Sequence, residues 1–184
     1  MAWYDKILGR EEKLNPAQYL DGGKIESSRE RTVNYERMYE ELEVVNRGVN
    51  MIVDDAAEIP TTISSLNSFK GITTGVKRAK VESLLNRTPN LYQDINTFKR
   101  NLITDYLIDG NIFIYFDGAH LYHLPADKVR IHADTDTYVE KYTLNDITYT
   151  PYEIIHIKEN SFYSIYRGVS RLKPALRTMQ LMMN

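Results

Sequence analysis

The most constraining feature of this sequence is the stretch 88–131, which predicts one helix followed directly by short strands. Pro89 cannot continue a helix from its N-terminal side, and Asn90 with Gln93 three residues later has the spacing of a capping box. The sequence therefore predicts a helix that begins near Leu91. Its apolar residues recur at steps of three and four, and they are Leu91, Ile95, Phe98, Leu102, Tyr106 and Leu107.

The end of this helix and the first hairpin have strong local signals. Gly110 is expected to end the helix as a left-handed residue. The β-branched and aromatic run 112–116 then predicts a strand, and Asp117-Gly118 predicts a type I′ hairpin turn with 119–124 as the returning strand.

Further short strands follow along the chain. They are predicted at 128–132, 138–144, 147–150 and 154–158, with turns at 134–137 and 145–146. Short strands joined by short turns favour a meandering antiparallel sheet, so the fold class predicted is α+β rather than a doubly wound sheet.

Residues 1–28 predict a largely irregular N-terminal arm, and 29–184 predict one incomplete α+β domain. A capping box at Ser27 precedes apolar residues with helical spacing up to Pro60, which predicts one long helix of nearly thirty residues. Such a helix either covers the core in the ordinary way or forms a surface shared with a neighbour. A short strand is predicted at 61–66, and the last helix reaches residue 184 with no stop signal.

Composition places further bounds on function. The chain has 184 residues, of which 42% are hydrophobic, and it has no cysteine, which excludes disulfides and thiolate metal sites. No run of about eighteen apolar residues occurs, so we expect a soluble protein with no membrane partner. The net charge is −2, but residues 1–60 hold 8 basic and 13 acidic residues, whereas 61–184 hold 15 and 12. Any contact with a phosphate backbone is therefore expected in the second part.

Four basic residues occur close together in the segment 69–80, namely Lys70, Lys77, Arg78 and Lys80. The glycine and lysine spacing of a Walker phosphate loop is absent. The segment is interpreted as a solvated loop, with contact to a DNA backbone as the functional alternative.

The histidines and acidic residues do not form a recognisable catalytic or metal site. His120 and His123 would point to opposite faces of a strand, and no carboxylate is positioned to complete a site with them and His132. His156 lies in an apolar strand and is expected to be a structural histidine. No nucleophile is paired with a base, so no catalytic residue and no cofactor are predicted.

Tyrosine is abundant, at 14 residues. Four of these residues fall in predicted strands, namely Tyr115, Tyr122, Tyr138 and Tyr142. Aromatic residues on an open sheet can stack single-stranded bases, but they more often fill cross-strand pairs.

Several phrases in one collinear order give a resemblance to a known family. The segment 109–114, Asp-Gly-Asn-Ile-Phe-Ile, and the segment 123–129, His-Leu-Pro-Ala-Asp-Lys-Val, resemble the central signature of the portal proteins of tailed bacteriophages. The segments 84–90 and 150–157 are similar to the flanking phrases of that family. The segment 166–176 resembles the phrase in which glycine, an aliphatic residue and serine open a helix, although Arg171 stands where the family usually has proline. The signature positions are Pro89, Gly110, Asn111, Phe113, Leu124, Pro125, Asp127, Val129, His156, Gly168 and Ser170.

The resemblance, which covers about residues 44–183, implies a non-catalytic structural subunit. It implies the peripheral wing of a homo-oligomeric ring, typically a dodecamer, at one capsid vertex of the virion, assembled in the host cytoplasm. Double-stranded DNA would pass through the ring during genome packaging and ejection. The implied partners are the major capsid protein, the terminase, which hydrolyses ATP, a head-tail adaptor or tail connector, and a scaffold or protease during assembly. The stem, clip and crown would lie mainly in sequence that this chain lacks.

Two other functions remain open from the residues alone. One is a single-stranded nucleic-acid binding module that uses Tyr115 and Tyr122 on its sheet. The other is a hydrolase with an unrecognised site, which the lack of a paired nucleophile and base disfavours.

Overall fold

The computed structural model of the chain describes residues 35–62, 75–133, 138–161 and 164–183. Within these residues the helices are α1 (Tyr35–Glu41), α2 (Glu43–Ala57), α3 (Gly75–Asn86), α4 (Ile95–Ile108) and α5 (Leu176–Met183), with a 3₁₀ turn at Lys173–Ala175 directly before α5. The strands are β1 (Asn111–Phe116), β2 (Leu121–Leu124), β3 (Val129–His132), β4 (Lys141–Leu144), β5 (Ile147–Tyr149) and β6 (Ile154–Lys158). The predicted arm at 1–28, the turn at 134–137 and most of the strand at 61–66 lie outside the described residues.

The described strands form two antiparallel three-stranded sheets, which confirms the α+β class. One sheet has the order β2-β1-β6 and the other has the order β3-β4-β5. The expectation of a single meander is wrong, because β6 returns to pair with β1 along its whole length, from Asn111 opposite Lys158 to Tyr115 opposite Ile154. Only β3-β4-β5 is a meander.

The expected long helix is divided at Leu42. This residue has extended backbone angles, φ −98° and ψ 106°, so α1 ends before it and α2 begins after it. The Leu42 side chain packs against the apolar cluster between the helices. Two polar contacts hold the break: the Tyr39 hydroxyl donates to Asn50 Oδ1 at 3.1 Å, and Asn46 Nδ2 donates to the Tyr39 carbonyl at 3.3 Å.

Helix α4 begins four residues later than predicted. Asn90 Oδ1 accepts from the N–H groups of Tyr92 and Gln93, as a cap does, but it caps only a turn. The helix cap is Asp94, whose carboxylate accepts from the Thr97 N–H at 2.9 Å. Leu91 therefore lies outside the helix and is 78% exposed, so its predicted burial is wrong.

The first hairpin has a longer loop than a type I′ turn. Phe116 pairs with Leu121, so the loop comprises the four residues between them and β2 begins at Leu121. Asp117 Oδ1 accepts from the N–H groups of Ala119 and His120, at 2.7 and 2.6 Å, and these bonds lower the pKa of Asp117 to about 2. Gly118 has a positive φ, +94°, whereas Asp117 does not, and a type I′ turn requires both.

Three other local predictions differ from the structure. The basic residues at 77–80 lie on α3, which begins at Gly75, so this part of the predicted loop is helical. The fourth strand begins at Lys141, because Tyr138 has a left-handed φ of +70°. The segment after Ser170 does not open a regular helix at once: the 3₁₀ turn that contains Pro174 comes first.

Three apolar clusters form the core. The sheet cluster lies against both sheets and consists of Phe113, Leu124, Ala126, Val129, Ile131, Tyr142, Ile154 and Tyr166. The helix cluster consists of Tyr35, Met38, Val45, Val49, Val53, Ile108 and Met179. A third cluster joins α4 to the first sheet through Phe98, Ile114 and Leu121. The C-terminal end of α4 and the start of β1 connect the helix cluster to the sheet cluster.

Candidate functional site

Several of the signature residues meet at the junction of α4, β1 and β6. We define the buried polar cluster as Asp109, Gly110, Asn111, His156, Arg167 and Gly168. Five of these residues are buried and His156 is half-buried. They come from three separate parts of the sequence, so the cluster joins segments that local pairing alone would not connect.

Asn111 is the centre of this cluster. Its Oδ1 accepts from the Gly168 N–H at 2.7 Å and lies 3.1 Å from His156 Nε2, while its Nδ2 donates to Asp109 Oδ2 at 2.6 Å. Because an amide oxygen only accepts, Nε2 of His156 carries the proton. Asn111 is fully buried, so its side chain is a three-way connector between α4, β6 and the segment that precedes α5.

His156 is kept neutral by its surroundings. Its ring stacks on Phe113 with centroids 4.2 Å apart, and its Nδ1 lies 3.4 Å from the Tyr142 hydroxyl. Burial, together with the nearby charge of Arg167, lowers the pKa of His156 to about 3. The expectation of a structural histidine fits these contacts.

Arg167 and Asp109 form a buried ion pair. Their side chains are 2% and 3% exposed, and Arg167 Nη2 lies 3.0 Å from Asp109 Oδ2. The guanidinium also donates to the carbonyls of Ala126, at 2.8 Å, and Val129, at 2.9 Å. It therefore holds the turn between β2 and β3 and the start of the second sheet against the end of α4.

Two glycines let main chains touch inside the cluster. Gly110 has φ +80°, and a Cβ there would lie 2.4 Å from the Val169 main chain. A Cβ on Gly168 would lie 2.0 Å from the Gly110 carbonyl oxygen. Each position therefore needs glycine for a steric reason, and Gly110 also ends α4 as the sequence predicts.

Ser170 continues this contact toward α5. Its hydroxyl donates to the Leu107 carbonyl at 3.3 Å, and the Arg171 N–H donates to the same oxygen at 3.0 Å. The Leu107 carbonyl has no partner within the last turn of α4, and the chain that enters α5 supplies its hydrogen bonds.

The other signature residues lie outside the buried polar cluster. Pro89 is buried and its carbonyl accepts from the Leu121 N–H at 2.8 Å. The Pro125 carbonyl accepts from the Lys128 N–H at 3.1 Å in the turn before β3, and Asp127 lies half-buried in that turn. These residues shape the ends of strands rather than the junction.

Asp109 and Arg167 lie within the signature phrases, but the sequence alone predicted no role for either residue. The signal was present: each is a charged residue directly before a glycine, within an otherwise apolar or aromatic phrase. A charge that lies beside apolar residues in the sequence must find a partner if it is buried, and these two residues are each other's partner.

The histidines at 120, 123 and 132 have separate partners. His120 lies 3.4 Å from Asp117, His132 lies 2.8 Å from Thr143, and His123 Nε2 lies 2.7 Å from Asp105 Oδ2. Asp117 and Asp105 thus each contact a single histidine, and neither carboxylate joins two of them. Burial raises the pKa of Asp105, although His123 opposes that shift. Among the described residues no group of three or more His, Asp or Glu could hold a metal ion.

The strand tyrosines pack against each other. Tyr115 faces Tyr122 directly across β1 and β2 with ring centroids 5.9 Å apart, and it also contacts Tyr149 at 5.0 Å. Tyr142 is buried, and Tyr138 lies outside the strands. These contacts fit the cross-strand interpretation.

The structure brings together only part of the predicted DNA-contact group. Lys70 lies outside the described residues, whereas Lys77, Arg78 and Lys80 are on α3, where the Lys80 side chain is exposed. No described helix has the combination of length and apolar content needed to cross a bilayer.

Comparisons with known proteins agree on one family. The sequence model of the family described as "Phage portal protein" matches residues 43–184. The portal protein of Escherichia phage T5 is 37% identical over 178 residues, and the match covers 92% of this chain and 44% of that protein. Two solved structures of gene transfer agent (GTA) particles have a similar fold.

The first of these structures is the neck of an empty particle computed with C6 symmetry, with TM-score 0.72, 19% identity, and coverage of 92% of this chain and 49% of that chain. The second is the neck of a native particle computed with C12 symmetry, with TM-score 0.69, 20% identity, and coverage of 90% and 45%. The chain thus spans about half the length of the relatives that it matches.

Proposed function

This chain belongs to the phage portal protein family, and from that premise we propose that it forms the peripheral wing of a subunit in a closed ring of twelve copies at one capsid vertex. In this role the ring is the channel for double-stranded DNA during packaging and ejection. It contacts the major capsid protein, the terminase and a head-tail adaptor, and a scaffold or protease acts during its assembly in the host cytoplasm. The subunit itself catalyses no reaction.

One observation carries this proposal: the family match over residues 43–184 contains the whole buried polar cluster. A subunit that is fixed in a ring must keep one shape under load, and this cluster fixes α4, both sheets and the entry to α5 relative to one another. The two neck structures with C6 and C12 symmetry support a rotationally symmetric assembly as the setting for this fold.

The non-catalytic role is consistent with what the polar side chains do. Asn111 and His156 bond other groups of the chain, and so do both terminal nitrogens of the Arg167 guanidinium. The single-stranded nucleic-acid alternative is not favoured, because Tyr115 and Tyr122 contact each other.

Electron microscopy of the full-length subunit tests the proposal. We expect closed rings with a central hole and twelvefold symmetry. A full-length protein that remains monomeric at high micromolar concentration would overturn it.

We also propose that Lys70, Lys77, Arg78 and Lys80 contact the DNA backbone weakly. Counterion release makes such binding steeply salt-dependent, so a triple change of Lys77, Arg78 and Lys80 to Glu should reduce duplex binding by assembled rings and flatten its dependence on salt. The matched control is a triple change of Arg37, Arg87 and Lys173 to Glu, which alters the charge equally at other exposed positions. If both triple variants lost duplex binding equally, the loss would be explained by net charge alone, and the proposed DNA contact of these four residues would be wrong.

A further inference from the structure

Helix α2 has apolar residues on two different sides. The buried side consists of Val45, Val49, Val53 and Ala57, which follow one another at steps of four. Val44, Met51 and Ile52 lie on another side and are 61%, 71% and 54% exposed. Ile59, just past the end of the helix, is 65% exposed.

The exposed apolar residues fall in one sector of the helix, which also contains Asp55. Successive helical residues are about 100° apart, so positions 44, 48, 51, 52 and 55 fall within a sector about 100° wide. We call this sector the outer stripe; its residues are Val44, Gly48, Met51, Ile52 and Asp55. The sector beside it is charged and consists of Glu43, Arg47, Asp54 and Glu58. An apolar sector that is exposed next to a charged one has the pattern of a docking surface.

Gly48, in the middle of the outer stripe, is a second and independent observation. Its φ is not in the left-handed region, and glycine is unfavourable inside a helix. Among the described residues, no atom outside its own helix backbone lies within 4 Å of the position that a Cβ would take. The described part of the fold therefore gives no reason for glycine here, whereas the close approach of another backbone would.

We propose that the outer stripe of α2 is covered by a second copy of this chain in the ring. The inference rests on the proposed function and adds the surface through which copies meet. A head-to-tail ring joins two different faces of the subunit, so each face must complement the other.

Charge identifies the occupant as a second copy. Residues 35–58, which contain the outer stripe, hold seven acidic and two basic residues, whereas residues 61–184 hold 15 basic and 12 acidic ones. The net charge of residues 61–184 of a neighbouring copy, +3 from 15 basic and 12 acidic residues, is opposite in sign to that of this acidic segment. Exposed basic residues that are available on the described surface include Lys128, Arg130 and Arg177. Opposite charges at the rim of an apolar contact favour the correct pairing of faces.

The first test changes the outer stripe without disturbing the core. In the full-length subunit, Ile52→Gln should raise the protein concentration for half-assembly at least tenfold, because a polar amide replaces an apolar contact. Arg47→Gln, on the charged sector of the same helix, is the matched control and should change it less than twofold. Equal behaviour of the two variants would overturn the proposal.

The second test uses Gly48→Ala, which should change the stability of the subunit and its assembly in opposite directions. Gly48→Ala should raise the melting temperature of the subunit below its assembly concentration by a few degrees, since alanine favours the helix. The same variant should assemble less readily than the unaltered protein, because the added methyl group keeps the neighbouring backbone away. A variant that is both more stable and fully competent to assemble would contradict a close contact at this position.

The third test identifies the occupant. Residues 1–184 contain no cysteine, so Met51→Cys in a full-length subunit from which any later cysteines are removed provides a single attachment point for a maleimide photo-crosslinker. We would assemble tagged Met51→Cys subunits with untagged subunits that lack cysteine, irradiate them, and map the product by mass spectrometry. We expect tagged-to-untagged dimers with peptides from residues 75–184 of the second copy.

Crosslinks confined to one polypeptide, including those to residues 1–34 or to later sequence of the full-length subunit, would overturn the proposal. If rings are still visible in that case, the proposed function survives and only the surface assignment fails. If no rings form with the unaltered protein under any condition, the proposed function fails first.

Discussion

The buried polar cluster places charged residues in the interior, whereas the outer stripe of α2 places apolar residues at the surface. The first buries an arginine and an aspartate that are 2% and 3% exposed, and the second exposes Met51 at 71%. Asn111 and the carbonyls of Ala126 and Val129 bond the buried charges, so described groups of this chain account for their burial. The stripe has no such explanation among the described residues. The comparison separates polar residues that serve the fold from apolar residues whose proposed role is contact with a neighbour.

The largest expected effect comes from breaking the buried ion pair. Arg167→Met leaves Asp109 without its cation and two carbonyls without a donor, so it should lower the free energy of unfolding by about 3–5 kcal/mol. Arg171→Met removes a more exposed pair with Glu159 and should cost less than about 1 kcal/mol. Urea unfolding followed by circular dichroism measures both.

If Arg167→Met does not fold, Arg167→Lys replaces it. Lysine keeps the charge but cannot reach Asp109, Ala126 and Val129 with one planar group, so a clear loss of stability is still expected. A loss below that of Arg171→Met would show that the pair is not important for the fold.

A second prediction compares two glycines. Gly168→Ala places a Cβ 2.0 Å from the Gly110 carbonyl oxygen, and forcing main chains apart should cost about 3 kcal/mol, the upper end for overpacking. Gly48→Ala meets no atom of the described chain and should stabilise the unassembled subunit by about 0.5–1 kcal/mol. Thermal unfolding of the two variants below the assembly concentration should therefore move in opposite directions. The same sign for both would contradict the contrast between the regions.

A third prediction concerns pH. The pKa of His156 is about 3 in the folded chain and 6.5 in an exposed histidine. Between these values the unfolded chain binds a proton that the folded chain does not, so stability should fall as the pH is lowered below about 6.5. From pH 7 to pH 5 the loss should be about 1–2 kcal/mol.

His156→Gln should remove most of this slope, because glutamine does not titrate. The pKa of His132 is also lowered, by burial and by Lys141, so His132→Gln is the variant that separates the two contributions. Denaturant melts at pH 5, 6 and 7 measure the slopes. A slope unchanged in His156→Gln would show that the ring is not held neutral by the cluster.

The smallest effect on folding is expected in the outer stripe. Ile52→Gln should change the free energy of unfolding of the unassembled subunit by less than about 0.5 kcal/mol, because the side chain is already 54% exposed. Val53 is the next residue and is 1% exposed, so Val53→Gln should lower the free energy of unfolding several times more. Equal costs at the two positions in urea unfolding would show that α2 has no distinct outer side.

Local signals predicted the elements whose ends depend on neighbours in sequence. The left-handed Gly110, the strand before the first hairpin and the turn at 145–146 are present as expected. The signature phrases also led to Asn111, His156 and Gly168, because they mark the family. What the phrases did not give is the reason for these residues, which is that Asn111 joins Gly168 to His156 through space.

The errors arose where a distant contact decided between two local choices. Asn90 has the spacing of a helix cap, but its amide also donates to the Leu121 carbonyl at 2.8 Å, 31 residues away, and this bond holds it in a turn before α4. Leu42 fits a continuous helix by pattern, yet its side chain packs into the helix cluster and the helix breaks there. The return of β6 to β1 gives two sheets rather than one, and no local pattern encodes that pairing.

The Leu107 carbonyl connects the last turn of α4 to the segment that enters α5, through the Ser170 hydroxyl and the Arg171 N–H. A few residues away, the main chains of Gly110 and Gly168 press directly on each other. The segment that enters α5 is therefore joined to the end of α4 and the start of β1 largely through main-chain atoms. Because no side chain lies between Gly110 and Gly168 to repack, a shift of the segment that enters α5 would be passed directly to the end of α4.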